Sequence, residues 1–386
     1  MSVTAASGFV AAGCHAGIKK KRHDMALIAT EDLKPVTAVA VFTRNKFVAP
    51  PVTLDRERLA ANGGRVSAII VNSGNANAGT GAPGLVDAEA MTAAAAEALG
   101  IEKQEILVCS TGIIGTPLPM DAILKATPKL VKKLSVDGAQ DAAKGILTTD
   151  SGPKQAVVEG STFTLGGMAK GCGMIAPDMA TMLAFLTTDA ELDRDALQAI
   201  LRAAADRTFN TLNVDGATST NDTVVLMASG RRGRADSAEF ADALHRACED
   251  LTLQMARDAE GMTRMVMLRV TGAASDAEAR TAAKAIAENN LVKCSWHGGD
   301  PYWGRLLAAA GSAGIAFDPD RSQVSYGGIL VSRAGAPLGH DEAAVAAHVK
   351  EERIEIEVAL GCGRGEARVI GIDLGPGYIE ENVKTS

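Results

Sequence analysis

The chain has 386 residues, 47% hydrophobic and 22% charged, which is the balance of a soluble globular protein too long for one small core. A net charge of −7, with the basic residues spread out, excludes nucleic acid or an anionic membrane as the main partner. Six cysteines lie far apart without a CxxC pair, which excludes a disulfide framework or a zinc knuckle, and no stretch is apolar for long enough to span a bilayer.

At the start, the charges of Lys19 to Arg22 follow the apolar part, the reverse of a secretory leader, so a cytoplasmic protein is expected. Going along the chain, strands are predicted over Thr37–Thr43, Ser67–Val71 and Ile106–Cys109, with a helix over Val86–Leu99 between the last two. A further strand is predicted over Val157–Leu165. Helical spacing returns over Leu192–Arg207, after a capping context at Thr187-Thr188-Asp189, and over Ser237–Ala259. Strands at Thr223–Ala228, Met265–Val270, Ile354–Ala359 and Arg368–Ile372 complete the pattern. Helix pairs separated by strand groups indicate an α+β fold rather than a strict βαβ series. No linker marks a domain boundary.

The segment Gly166 to Leu186 carries the chemistry. It reads as a glycine-rich loop leading through Pro177 into an apolar strand whose first side chain is Thr181. A phosphate cradle fails on spacing, because GxxxxGK[ST] is absent and no helix follows the glycines. A β-branched residue opening a buried strand is one reading of Thr181. The other is an N-terminal nucleophile. A threonine hydroxyl needs an adjacent base, and a break before Thr181 would supply one, an α-amino group with a reference pKa of about 8.

Lys170-Gly171-Cys172-Gly173-Met174-Ile175-Ala176-Pro177-Asp178-Met179-Ala180-Thr181-Met182-Leu183 resembles the signature of the ornithine acetyltransferase (glutamate N-acetyltransferase) family of arginine biosynthesis. Further segments match in order along the chain. They are Gly17-Ile18-Lys19, Val41 to Asn45, Val71 to Ala78, Ser110 to Gly115, Asp215-Gly216, Thr218 to Thr223 and Trp303-Gly304-Arg305. The resemblance implies an α-β-β-α sandwich, distinct from the usual N-terminal-nucleophile hydrolase fold. It also implies cleavage at Ala180–Thr181 into fragments 1–180 and 181–386, intertwined in one fold and assembled as a heterotetramer.

By the same resemblance, Thr181 takes the acetyl group of N-acetylornithine and passes it to glutamate. Thr111 and Gly112 are the expected oxyanion hole, as a hydroxyl and a backbone N–H at a glycine turn after the strand ending at Cys109. Thr148, with Thr149 as its competitor, and Lys170, Glu260, Asn382 and Ser386 are the expected substrate contacts. No cofactor and no metal are implied, and acetyl-CoA enters only as an alternative substrate. The chain departs from the family pattern at Gly79, at Tyr302 before Trp-Gly-Arg, in Ser295-Trp296-His297, and in a one-residue shorter gap between Asn382 and Ser386. His297 has no second ligand near it in sequence and reads as structural. The competing functions are an N-terminal-nucleophile amidohydrolase or aminopeptidase and a non-catalytic small-molecule binding protein.

Overall fold

The computed structural model describes residues 2–176 and 182–383. The chain divides into two compact units, one built from residues 1–172, 178–210 and 218–255, the other from 173–177, 211–217 and 256–386. Strands from both sides of the Ala180–Thr181 bond enter the first unit.

In the first unit, strands Phe9–Cys14, Met25–Thr30, Ala68–Asn75 and Ile106–Ile113 form a four-stranded sheet in that order. A six-stranded sheet runs Arg65–Val66, Val36–Phe42, Thr223–Ala228, Leu183–Thr188, Thr164–Lys170, Lys154–Glu159. The inner faces meet in one apolar cluster, with Ile28, Ile69, Val71 and Leu107 from the first sheet and Met168, Phe185, Val225 and Met227 from the second. Burying such a shared face is what makes the stacked pair stable. Helices Gly81–Leu99 and Met120–Val131 cover the outside of the four-stranded sheet through Met91, Ala95, Ile123 and Leu130. On the other side, Gln198 of helix Arg194–Arg207 donates to the Ala40 carbonyl, and Gly167 lies against Leu251 of helix Ser237–Arg257. The layers are therefore α-β-β-α.

The edge strand Ile106–Ile113 is sealed by helix Pro50–Ala61. Asp55 Oδ1 accepts the Val108 N–H at 2.9 Å and Arg58 donates to the Ile106 carbonyl at 2.6 Å. An unpaired edge is thus covered at the strand that carries Thr111.

In the second unit a seven-stranded sheet includes Leu212–Asn213, Gly365–Ile372, Met265–Ala273 and Arg353–Ala359. Helices Asp276–Glu288, Asn290–Gly298 and Trp303–Gly311 cover one face through Ile286, Trp296 and Leu306. No helix among the described residues is long and apolar enough to cross a membrane.

Three sequence expectations are corrected. The single strand expected over Val157–Leu165 is a hairpin, Lys154–Glu159 paired with Thr164–Lys170, turning at Gly160. The Gly166-Gly167 stretch, expected as loop, lies inside a buried strand, where a Cβ on Gly166 would run into the Ser2 carbonyl oxygen. Glycine is needed there for a close approach of backbones, not for a turn. Helix Arg194–Arg207 starts after Asp193, and the Asp189 carboxylate instead receives the N–H groups of Ser7 and Thr164.

Candidate active site

The first unit holds Thr111, Gly112, Thr148 and Lys170. The strand of Thr111 does not end at Cys109 but continues to Ile113, in parallel register with Ala68–Asn75. Gly112 faces Gly74 across this pairing. Both sit in the left-handed region, at φ +135 and φ +99. A Cβ on Gly112 would run into Gly74 and come within 2.5 Å of the Asn75 nitrogen. Only paired glycines let the strands approach so closely. Thr111 is buried beside this irregularity and Gly112 is exposed.

Lys170, the last residue of its strand, is 2% exposed, so it is not a surface charge. Its Nζ stands 3.9 Å from Asp150 Oδ2. Asp150 is fully buried and gathers its neighbours. Oδ2 accepts the Thr148 N–H at 3.0 Å, and Oδ1 accepts the Gly171 N–H at 2.8 Å and Lys154 Nζ at 2.7 Å. Burial opposes its ionisation, but Lys170 and Lys154 prevail and hold the carboxyl well below the usual range. Thr148 and Lys170 are thereby brought together on one carboxylate. Thr149 points its hydroxyl at the Cys172 sulfur, 2.9 Å away.

The second unit holds Glu260 and Asn382. Asn382 Nδ2 donates to Glu260 Oε2 at 2.9 Å, and a Cβ on Gly173 would run into the same carboxylate. The loop after Gly173 is pinned by Asp215, which accepts the Met174 and Ile175 N–H groups at 2.7 and 3.0 Å and the Tyr378 hydroxyl at 3.1 Å. His297 Nδ1 lies 2.7 Å from Asp373 Oδ2. Ala180, Thr181 and Ser386 lie outside the described residues.

The model of the ArgJ family matches residues 10–385. The chain belongs to the ArgJ family. It is therefore an enzyme, an acyltransferase of arginine biosynthesis. "Arginine biosynthesis bifunctional protein ArgJ" of Symbiobacterium thermophilum is 45% identical, covering 98% of this chain and 97% of its own. The protein of the same name from Thermobifida fusca is 45% identical over 99% of both. Among solved structures, ArgJ of Bacillus halodurans aligns at 39% identity over 51% of this chain and 96% of its own, with a TM-score of 0.49. The ornithine acetyltransferase of Mycobacterium tuberculosis complexed with ornithine aligns at 40% identity over 47% and 95%, with a TM-score of 0.44.

Sequence reasoning did not single out three residues that stand near these candidates. Asp150 gives no signal beyond lying two residues after Thr148. Lys19 was legible only as part of Gly17-Ile18-Lys19. Its stem lies against Gly74, its Nζ donates to the Leu147 carbonyl at 2.8 Å, and burial lowers its pKa to about 8. Asp222, inside the matched Thr218 to Thr223 segment, is a buried carboxyl that accepts the Met182 N–H at 2.9 Å.

Proposed function

We propose that the chain breaks its own Ala180–Thr181 bond and then moves the acetyl group of N2-acetyl-L-ornithine to L-glutamate through an acetyl-Thr181 intermediate. Cleavage adds water across the peptide bond, leaving a carboxylate on Ala180 and an α-amino group on Thr181. In the first half-reaction the Thr181 hydroxyl attacks the acetyl carbonyl carbon and its proton passes to the α-amino group. The negative charge that develops on the carbonyl oxygen is met by the Thr111 hydroxyl and the Gly112 N–H. As the amide C–N bond breaks, the proton goes to the departing amine and ornithine leaves. The glutamate amine then attacks the acetyl ester, and the same proton path runs in reverse to restore the hydroxyl.

The observation that carries this reading is the buried charge around Asp150, in a chain of an acyltransferase family. Two ammonium groups, Lys154 and Lys170, share one carboxylate, at 2.7 and 3.9 Å. The buried Lys170 ammonium, 3.9 Å from Asp150 Oδ2, is suited to a further anion. The α-carboxylate common to N-acetylornithine and glutamate supplies it, with Thr148 beside it. Glu260 and Asn382 are further contacts expected from the family resemblance. Ser386 is the remaining expected contact.

The word "bifunctional" in the names of the relatives favours a second donor. Acetyl-CoA acylating Thr181 is the reading adopted for it, with CoA as the leaving group and no resident cofactor. Two copies of each fragment form the working enzyme, in the cytoplasm. Acetyl transfer to glutamate, measured against hydrolysis of N-acetylornithine, tests the function. Transfer in large excess over hydrolysis is expected. Hydrolysis alone would make the chain an amidohydrolase instead.

A further inference from the structure

The strand carrying Thr111 and the strand following Thr181 belong to different sheets of the first unit. Catalysis by the mechanism above requires them to hold a fixed separation. One short segment, Thr218 to Asp222, touches both. Asn221 is buried and sends Nδ2 to two carbonyls, that of Ser110 at 2.9 Å and that of Ala76 at 2.6 Å. Ser110 is the residue before Thr111. The next residue, Asp222, is 0% exposed and its Oδ1 accepts the Met182 N–H at 2.9 Å. The Thr223 N–H in turn donates to the Met182 carbonyl at 3.2 Å, opening the parallel pairing of Thr223 with Leu183. Met182 is thus held at both its N–H and its C=O.

The Met182 N–H belongs to the peptide bond that joins it to Thr181, so the chain is held one residue after the proposed nucleophile. The segment is itself braced by residues that follow the strand Val36–Phe42. Thr43 Oγ1 donates to the Ser219 carbonyl at 2.6 Å, Asn45 Nδ2 to the Thr218 carbonyl at 2.9 Å, and the Thr43 N–H to the Asp222 carbonyl at 2.9 Å.

The geometry points to Asn221-Asp222 as a positioning pair that sets the nucleophile against the oxyanion hole, Asn221 gripping the Thr111 strand and Asp222 gripping the peptide next to Thr181. This inference rests on Thr181 being the nucleophile. Neither side chain needs to touch substrate. Burial pushes the Asp222 carboxyl well above the usual range. An asparagine there keeps an acceptor oxygen for the Met182 N–H.

Asp222→Ala, Asp222→Asn and Asn221→Ala are to be followed by intact mass for self-cleavage, by thermal melting for folding, and by steady-state acetyl transfer from N-acetylornithine to glutamate per cleaved molecule. Loss of positioning lowers kcat by about 10²-fold in Asp222→Ala, with KM for both substrates unchanged. Asp222→Asn restores most of that loss, and Asn221→Ala lowers kcat at constant KM. A folded Asp222→Ala chain that no longer cleaves also counts for the pair. Wild-type kcat in Asp222→Ala overturns it, as does an equal fall in Asp222→Asn with KM rising in step. If Asp222→Ala does not fold, wild-type kcat in Asn221→Ala overturns it instead. Full activity in Thr181→Ala overturns the underlying function, whereas an inactive Thr181→Ala beside an unchanged Asp222→Ala overturns the positioning pair alone.

Discussion

At the residue scale, Asp150 decides most of the local electrostatics. It stands between two buried ammonium groups, so Asp150→Asn leaves both without their shared counter-charge. Removing one partner of a buried pair costs about 3–5 kcal/mol, and a denaturant titration at neutral pH should show that loss. Because the folded carboxyl is held below its unfolded value of about 3.9, its contribution is complete above that pH and fades as pH falls below it. Wild-type stability should therefore drop more steeply than that of Asp150→Asn below about pH 4, by roughly one proton taken up on unfolding. Equal acid slopes would remove Asp150 as the anchor of Thr148 and Lys170. The nucleophile makes a second prediction at this scale. Its α-amino group must be neutral to accept a proton, so kcat/KM should fall as pH drops below about 8. A flat profile from pH 6 to 9 would exclude that group as the base.

At the element scale, the legible strands were those whose apolar residues run together or alternate. Thr223–Ala228 is found with the bounds expected, and Met265 and Ile372 each open or close a strand where the spacing put them. The strands Phe9–Cys14 and Met25–Thr30 were not read, because FVAAGC and MALIAT are buried with almost no alternation and are rich in small residues. Gly166 and Gly167 failed for a related reason. What selects glycine there is contact with Ser2 and with Leu186 and Leu251, all distant in sequence except through the fold. The expected turn at Gly112 was a strand because its partner glycine, Gly74, lies 38 residues away. That pairing makes Gly112→Ala a sharp test. A methyl group meets backbone atoms that cannot swing aside, and a left-handed φ adds strain. Destabilisation of about 1–3 kcal/mol is expected, with acyl transfer lost more completely than stability. Normal transfer by a folded Gly112→Ala enzyme would take Gly112 out of the oxyanion hole.

Gly173 offers a contrasting case. The atoms a Cβ would meet there are the far end of the Glu260 side chain. Gly173→Ala should therefore leave the melting curve nearly unchanged while displacing Glu260 and raising KM for N-acetylornithine more than for acetyl-CoA. Equal effects on both donors would argue that Glu260 does not read the ornithine side chain.

At the scale of the whole molecule, composition and charge bounded the class, but the division of the chain was not legible in them. The first unit draws on segments before and after residue 180, so neither a linker nor a change in composition falls at the Ala180–Thr181 bond. What the sequence did mark was a set of candidate residues. The signature around Thr181, the Thr111-Gly112 pair and Lys170 were each identifiable as residue types in order. Their supports, Asp150 and the Asn221-Asp222 pair, were not, since a carboxyl or amide acting through a backbone group leaves no spacing rule in the sequence. Intact mass of the purified protein, beside Thr181→Ala, tests the central claim most directly. Wild type should separate into fragments of 180 and 206 residues, the second gaining one acetyl group on brief exposure to N-acetylornithine, while Thr181→Ala stays whole and inactive. A wild-type chain that remains intact while transferring acetyl at full rate, or an active Thr181→Ala, would contradict the account.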